Sequence, residues 1–119
     1  EQNEKELFFN LHKASWNEKV KISDQFTLCK QQEFLEKRAA LNAIDIVYFD
    51  AFAPSAQPEL WSETIFKSIN KEMSERGILV TYCAKGVVKR TLKSSGFKIE
   101  AIPGPPGKRE MTRAFVNHE

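Results

Sequence analysis

From Ile44 onward the chain switches repeatedly between two apolar periodicities, and few folds accept that order. Residues 44–49 are largely apolar and rich in β-branched and aromatic types, as in a strand covered on both faces. Pro58 can open a short turn through Trp61. Ser62 is then an N-cap candidate with Glu63 in the first turn. Ile65, Phe66, Ile69 and Met73 form the stripe of a helix that Gly77 would stop in the left-handed conformation. Residues 78–83 read as a second buried strand. Residues 85–95 read as a second helix, with Val88 and Leu92 inward and Gly96 as its stop. Residues 97–102 and 112–116 read as two more strands. Strands alternating with helices predict an α/β fold with a mostly parallel sheet and right-handed crossovers. The connection 103–111 holds no helix, so the last strand is expected antiparallel to its neighbour.

The upstream residues are less periodic. Residues 1–18 suggest a helix or extended arm, with Phe8, Leu11 and Ser15 on one face. Residues 19–30 suggest a hairpin turning at Ser23-Asp24-Gln25. A helix is expected over 31–41, with Phe34, Leu35, Ala39 and Leu41 as contacts. No repeat, low-complexity tract or domain boundary is visible, so one domain is expected across the 119 residues. At 41% hydrophobic and 29% charged, the composition belongs with soluble globular chains and not disordered ones. No apolar run approaches the roughly 20 residues of a membrane span, and no signal peptide is visible. Cys29 and Cys83 end apolar runs and are expected to be buried free thiols in a reducing, cytoplasmic setting. His12 and His118 lie near no ligand cluster, so no metal site is expected.

Topology gathers the polar residues that matter. The carboxyl ends of parallel strands share one edge, where ligands bind in open α/β sheets. The loops starting at Asp50, at Ala84-Lys85-Gly86 and at Pro103 should all emerge there. A turn or helix cap is the plainer use for Asp50. The net charge of +2 conceals an asymmetry: residues 1–60 carry 7 Lys/Arg and 10 Asp/Glu, and residues 61–119 carry 11 and 6. Within 85–113 there are eight basic residues and two acidic ones, a field suited to an anionic partner such as nucleic acid. A solvated lysine face would look the same. All five glycines lie at 77 or beyond, and none belongs to a nucleotide-binding loop. The pattern is that of the second half of a doubly wound fold, which leads us to expect a truncated chain.

Five segments in order, Asp50-Ala51-Phe52-Ala53-Pro54, Gln57-Pro58-Glu59-Leu60-Trp61, Gly77-Ile78-Leu79-Val80-Thr81-Tyr82, Gly86-Val87-Val88-Lys89-Arg90 and Gly107-Lys108-Arg109-Glu110-Met111, resemble one family. It is the methyltransferase domain of the tRNA 5-methylaminomethyl-2-thiouridine biosynthesis enzymes, and the resemblance runs from about residue 24 to about 116. It implies the C-terminal half of a Rossmann-like class I methyltransferase that uses S-adenosylmethionine to methylate the aminomethyl nitrogen of a tRNA wobble uridine. The family's glycine-rich cofactor motif has no counterpart here. Lys30-Gln31-Gln32 replaces its Gly-Asp step, which leaves Gln31 or Gln32 as candidates for the adenine.

The resemblance implies roles for the loop residues. Asp50 would accept a hydrogen bond from the amine and aim its lone pair, a positioning effect of several kcal/mol. Phe52 would stack on the uracil, worth about 1–3 kcal/mol per base, and Pro54 would stiffen the loop. Lys85, Lys89, Arg90, Lys108, Arg109 and Arg113 would meet tRNA phosphates, unless Arg109 or Glu110 serves to fix its own loop. Trp61 and Tyr82 read as core. Three other readings stay open: a methyltransferase for another amine, a non-catalytic RNA- or partner-binding module, and half of a nicotinamide dehydrogenase.

Overall fold

Sequence patterning carries through to a computed structural model that describes residues 4–107 and 110–117, in two units divided between Phe34 and Leu35. The first holds helix α1 (Glu4–Lys13) and a hairpin of strands β1 (Lys19–Ser23) and β2 (Phe26–Cys29). Glutamates open α1 and His12 and Lys13 close it, which suits the helix dipole. The His12 ring sits 4.1 Å from that of Phe8. The strands pair antiparallel around the expected turn, with an irregularity between Lys21 and Ser23. Cys29 is a free thiol, but it is exposed and not buried as expected, because Leu28 takes the half-buried position of β2. Cys83 is also free and half-buried.

The helix expected over 31–41 does not form. Only a short 3-10 turn, Leu35–Lys37, remains. So short a helix needs a partner for its apolar face, and Phe34 and Leu41 are 67% and 52% exposed. Glu72 ties the segment down instead. Arg38 donates to both of its carboxylate oxygens, at 2.5 and 2.7 Å, and the Leu41 amide donates to one at 2.8 Å.

The second unit contains strands β3 (Ile44–Tyr48), β4 (Met73–Thr81), β5 (Phe97–Pro103) and β6 (Glu110–Val116), in the order β3-β4-β6-β5. β3 and β4 are parallel, and β6 is antiparallel to both of its neighbours. Three strands therefore run one way and the last runs back between two of them, as the helix-free connection requires. Helices α2 (Glu63–Glu72) and α3 (Gly86–Ser94) supply the core side chains Ile65, Phe66, Ile69, Val88 and Leu92, which pack with Phe49, Leu79, Phe97 and Ala114 from the sheet. Ser62 caps α2 as expected, its hydroxyl accepting from the Ile65 amide. Gly96 stops α3 with φ of 101°. On the opposite face of β3, Ile46 and Tyr48 are exposed, so this strand is covered on one face among the described residues and not on both.

Gly77 is not a helix stop. α2 ends at Glu72 and β4 begins at Met73, so the last residue of the expected stripe is already extended. The β3–β4 register slips between Ile44↔Met73 and Ile46↔Ile78, which makes 74–77 a bulge. Gly77 lies where a Cβ would sit 3.0 Å from the Ser74 carbonyl oxygen and 2.9 Å from the Met73 methyl. Gly77→Ala is therefore expected to cost about 1–2 kcal/mol through overpacking, read as a lower thermal midpoint. An unchanged midpoint would show that the bulge relaxes freely.

No helix of the described residues is long and apolar enough to cross a membrane.

Candidate functional site

The site begins where β3 runs out of sheet. The Phe49 amide still donates to the Val80 carbonyl at 2.9 Å, and its ring turns into the core against Trp61 and Phe66, 5.0 and 5.3 Å between centroids. The next residue, Asp50, leaves the strand and is exposed. It lines a small cavity of about 90 Å³ with Tyr48, Phe49, Val80, Thr81, Tyr82 and Met111. The cavity thus collects the carboxyl ends of β3 and β4 and the start of β6. The Thr112 hydroxyl secures this edge by donating to the Cys83 carbonyl at 2.8 Å.

The loop after Asp50 folds on itself. The amides of Ala56 and Gln57 donate to the Ala53 carbonyl at 2.8 and 3.0 Å. The Trp61 indole N–H donates to the Phe52 carbonyl at 2.8 Å. The Phe52 ring is left 73% exposed, as a stacking platform would require. Pro54 lines a different groove, of about 350 Å³, with Pro58, Trp61, Lys85 and Val87. Asp50 and Pro54 therefore line separate cavities and not one.

The basic residues divide. Lys85 and Arg90 are exposed, and the Arg90 guanidinium lies over Gly86 at the start of α3, 3.1 Å from where a Cβ would be. Lys89 is bound by Glu110 at 2.9 Å with its side chain only 24% exposed, so it pins α3 to the start of β6. The ammonium expected from sequence to meet phosphate is thus engaged by a carboxylate in this structure. Arg113 likewise pairs with Glu100 across the β5–β6 ladder and stacks on Phe115. Lys108 and Arg109 lie outside the described residues. Gln31 and Gln32 are exposed after β2 in the first unit, and the site described here is built from the second unit alone. Among the described residues no group of three His, Cys, Asp or Glu side chains could hold a metal ion.

Sequence reasoning missed Tyr82 and the loop role of Trp61. Tyr82 read as core from its strand position, yet it is 49% exposed beside Asp50. Its place at the carboxyl end of a strand was the available signal. No sequence signal announces that an indole N–H will meet a carbonyl nine residues earlier.

Comparison with known proteins bears on the family and the fold. Residues 4–117 match a family described as S-adenosyl-L-methionine-dependent methyltransferase. Over 80 residues the chain is 41% identical to the tRNA 5-methylaminomethyl-2-thiouridine biosynthesis bifunctional protein MnmC of Marinomonas sp. (strain MWYL1), covering 66% of this chain and 12% of that protein. The crystal structure of MnmC2 from Aquifex aeolicus superposes with a TM-score of 0.71 at 25% identity, over 94% of this chain and 38% of that one. A TehB-like S-adenosylmethionine-dependent methyltransferase from Corynebacterium glutamicum shares the fold, with a TM-score of 0.57 at 14% identity over 75% of this chain and 56% of that one.

Proposed function

The chain belongs to the S-adenosyl-L-methionine-dependent methyltransferase family, and from that premise we propose that it methylates the aminomethyl nitrogen of a tRNA wobble uridine. The observation that carries this reading is Asp50 at the carboxyl end of β3, in one cavity with Tyr48, Tyr82 and Met111. A volume of about 90 Å³ is room for about three water-sized groups. It suits a methyl group and an amine nitrogen, with the adenosine outside it. Aromatic faces beside a carboxylate also suit the cationic sulfonium end.

When bound, S-adenosylmethionine would supply an electrophilic methyl group, the S–CH3 bond breaking as the sulfonium leaves as a neutral thioether. Asp50 accepts a hydrogen bond from the amine N–H, which directs the nitrogen lone pair at that methyl. As the nitrogen becomes alkylated, the carboxylate stabilises its growing positive charge, and the proton the product sheds passes to solvent. Phe52 receives the extruded base on its exposed ring, as RNA-modifying proteins reach bases in single-stranded loops. Lys85 and Arg90 meet the flanking phosphates. The tRNA substrate is supported by the name of the curated relative and by this exposed basic pair.

The direct test supplies the protein with S-adenosylmethionine and a tRNA carrying an aminomethylated wobble uridine. A one-methyl mass increase of that nucleoside is expected, and none on a tRNA lacking the aminomethyl group. Neutralising Lys85 and Arg90 should lower the salt slope of tRNA binding by about one to two. No methylation, with salt-sensitive tRNA binding intact, would overturn the enzyme reading in favour of an RNA-binding module.

A further inference from the structure

Trp61 is buried, yet its indole N–H points out of the core to the Phe52 carbonyl, 2.8 Å away. We infer that this single hydrogen bond holds the Asp50 turn in its transfer geometry, which makes Trp61 a positioning residue for the methyl-transfer reaction proposed above. The inference rests on that reading.

Trp61 is itself immobilised. It ends the 3-10 turn Pro58–Trp61 and meets Phe49 and Phe66 edge to face, at 5.0 and 6.2 Å. An indole has one donor and no acceptor, and leaving that donor buried and unpaired is unfavourable. Ring and loop therefore hold each other. The other end of the turn is fixed too, because the Phe49 amide donates to the Val80 carbonyl at 2.9 Å. Only Asp50 and Ala51 lie between these two anchored residues, so the two bonds bracket the carboxylate. The exposed Phe52 ring anchors nothing in the core, and the hold on this residue is through its backbone. A phenylalanine at 61 would keep an aromatic ring against Phe49 and Phe66 but would lack the donor. The N–H is what the loop requires.

Trp61→Phe removes the donor and keeps an aromatic ring in the cluster. Because small misplacements at a reacting centre are costly, kcat is expected to fall by about 10- to 100-fold. KM values for tRNA and S-adenosylmethionine should stay within about threefold. Amide hydrogen exchange at Ala51 and Phe52 should quicken while that of Ile65 to Ile69 does not. In an Asp50→Asn background the same change should lower the residual rate no further, since a mispositioned carboxylate is already absent. Leu92→Val, in the last turn of α3, serves as a core change without contact to the loop carbonyl. If Trp61→Phe loses no more kcat than Leu92→Val, or if its loss persists undiminished in the Asp50→Asn background, the positioning role is overturned while methyl transfer stands. If the unaltered protein transfers no methyl group, the methyl-transfer reading falls and the role of Trp61 with it.

Discussion

Asp50→Ala is expected to lower single-turnover methyl transfer by about a hundredfold to a thousandfold, the range for removing one preorganised charge-stabilising group. The side chain is exposed, and its removal leaves no buried partner stranded. Stability should therefore stay within about 0.5 kcal/mol of the unaltered protein. Affinity for tRNA should also hold, because the cations assigned to phosphate, Lys85 and Arg90, belong to the start of α3 and not to this turn. Rapid-quench assays, thermal melts and tRNA titration separate the three quantities. A variant that lost folding or tRNA binding in proportion to its rate would make Asp50 a structural turn residue, the plainer of the uses open to it from sequence.

The second large effect is on stability. Arg38 and Glu72 form a pair whose side chains are only 16% and 12% exposed, joined by two hydrogen bonds and extended by the Leu41 amide. Glu72→Gln removes the charge that holds both guanidinium hydrogen bonds while keeping the side chain's shape, at an expected cost of about 1–3 kcal/mol. Urea unfolding near neutral pH would measure it, and a loss below about 1 kcal/mol would show that the pair is solvated in practice. The pH dependence gives an independent check. Hydrogen bonding to Arg38 is the main reason the Glu72 carboxyl lies below its usual value of 4.5; the Leu41 amide and the charge of Arg38 add to this, and burial opposes it. A carboxyl depressed in the folded state adds stability that is fully present above the unfolded value and is lost as pH falls through the folded one. The unaltered protein should therefore lose stability on acidification below about pH 4.5, and Glu72→Gln should lose less over the same range. Parallel pH profiles would contradict the assignment.

The two residues differ in how visible they were beforehand. Asp50 stands out because an apolar run breaks at a carboxylate, and the strand order places that break at the binding edge. Nothing in the sequence couples Glu72 to Arg38 across 34 positions. Between 31 and 41 the local pattern even pointed the wrong way, toward a helix, because propensity does not reveal whether an apolar face will find cover. The boundary at Met73 failed for a related reason. Its apolar position fits a helical stripe and a strand equally, and only pairing with Ile44 decides between them.

By itself, then, the sequence determined the elements and their order: the hairpin, the strand–helix alternation after Ile44, the Ser62 cap, the Gly96 stop and the return of the last strand. These rest on periods of 2 and 3.6 residues, on caps and on connection length, all properties of neighbouring residues. Tertiary structure alone decided which partner each polar group took. It committed Lys89 to Glu110 and Arg113 to Glu100 while Lys85 and Arg90 remained exposed. It turned Tyr82 toward the cavity of Asp50 and aimed the N–H of Trp61 at the loop. A hydrogen bond or ion pair is set by distance and direction in space, and those become defined only when elements far apart in the chain are packed together.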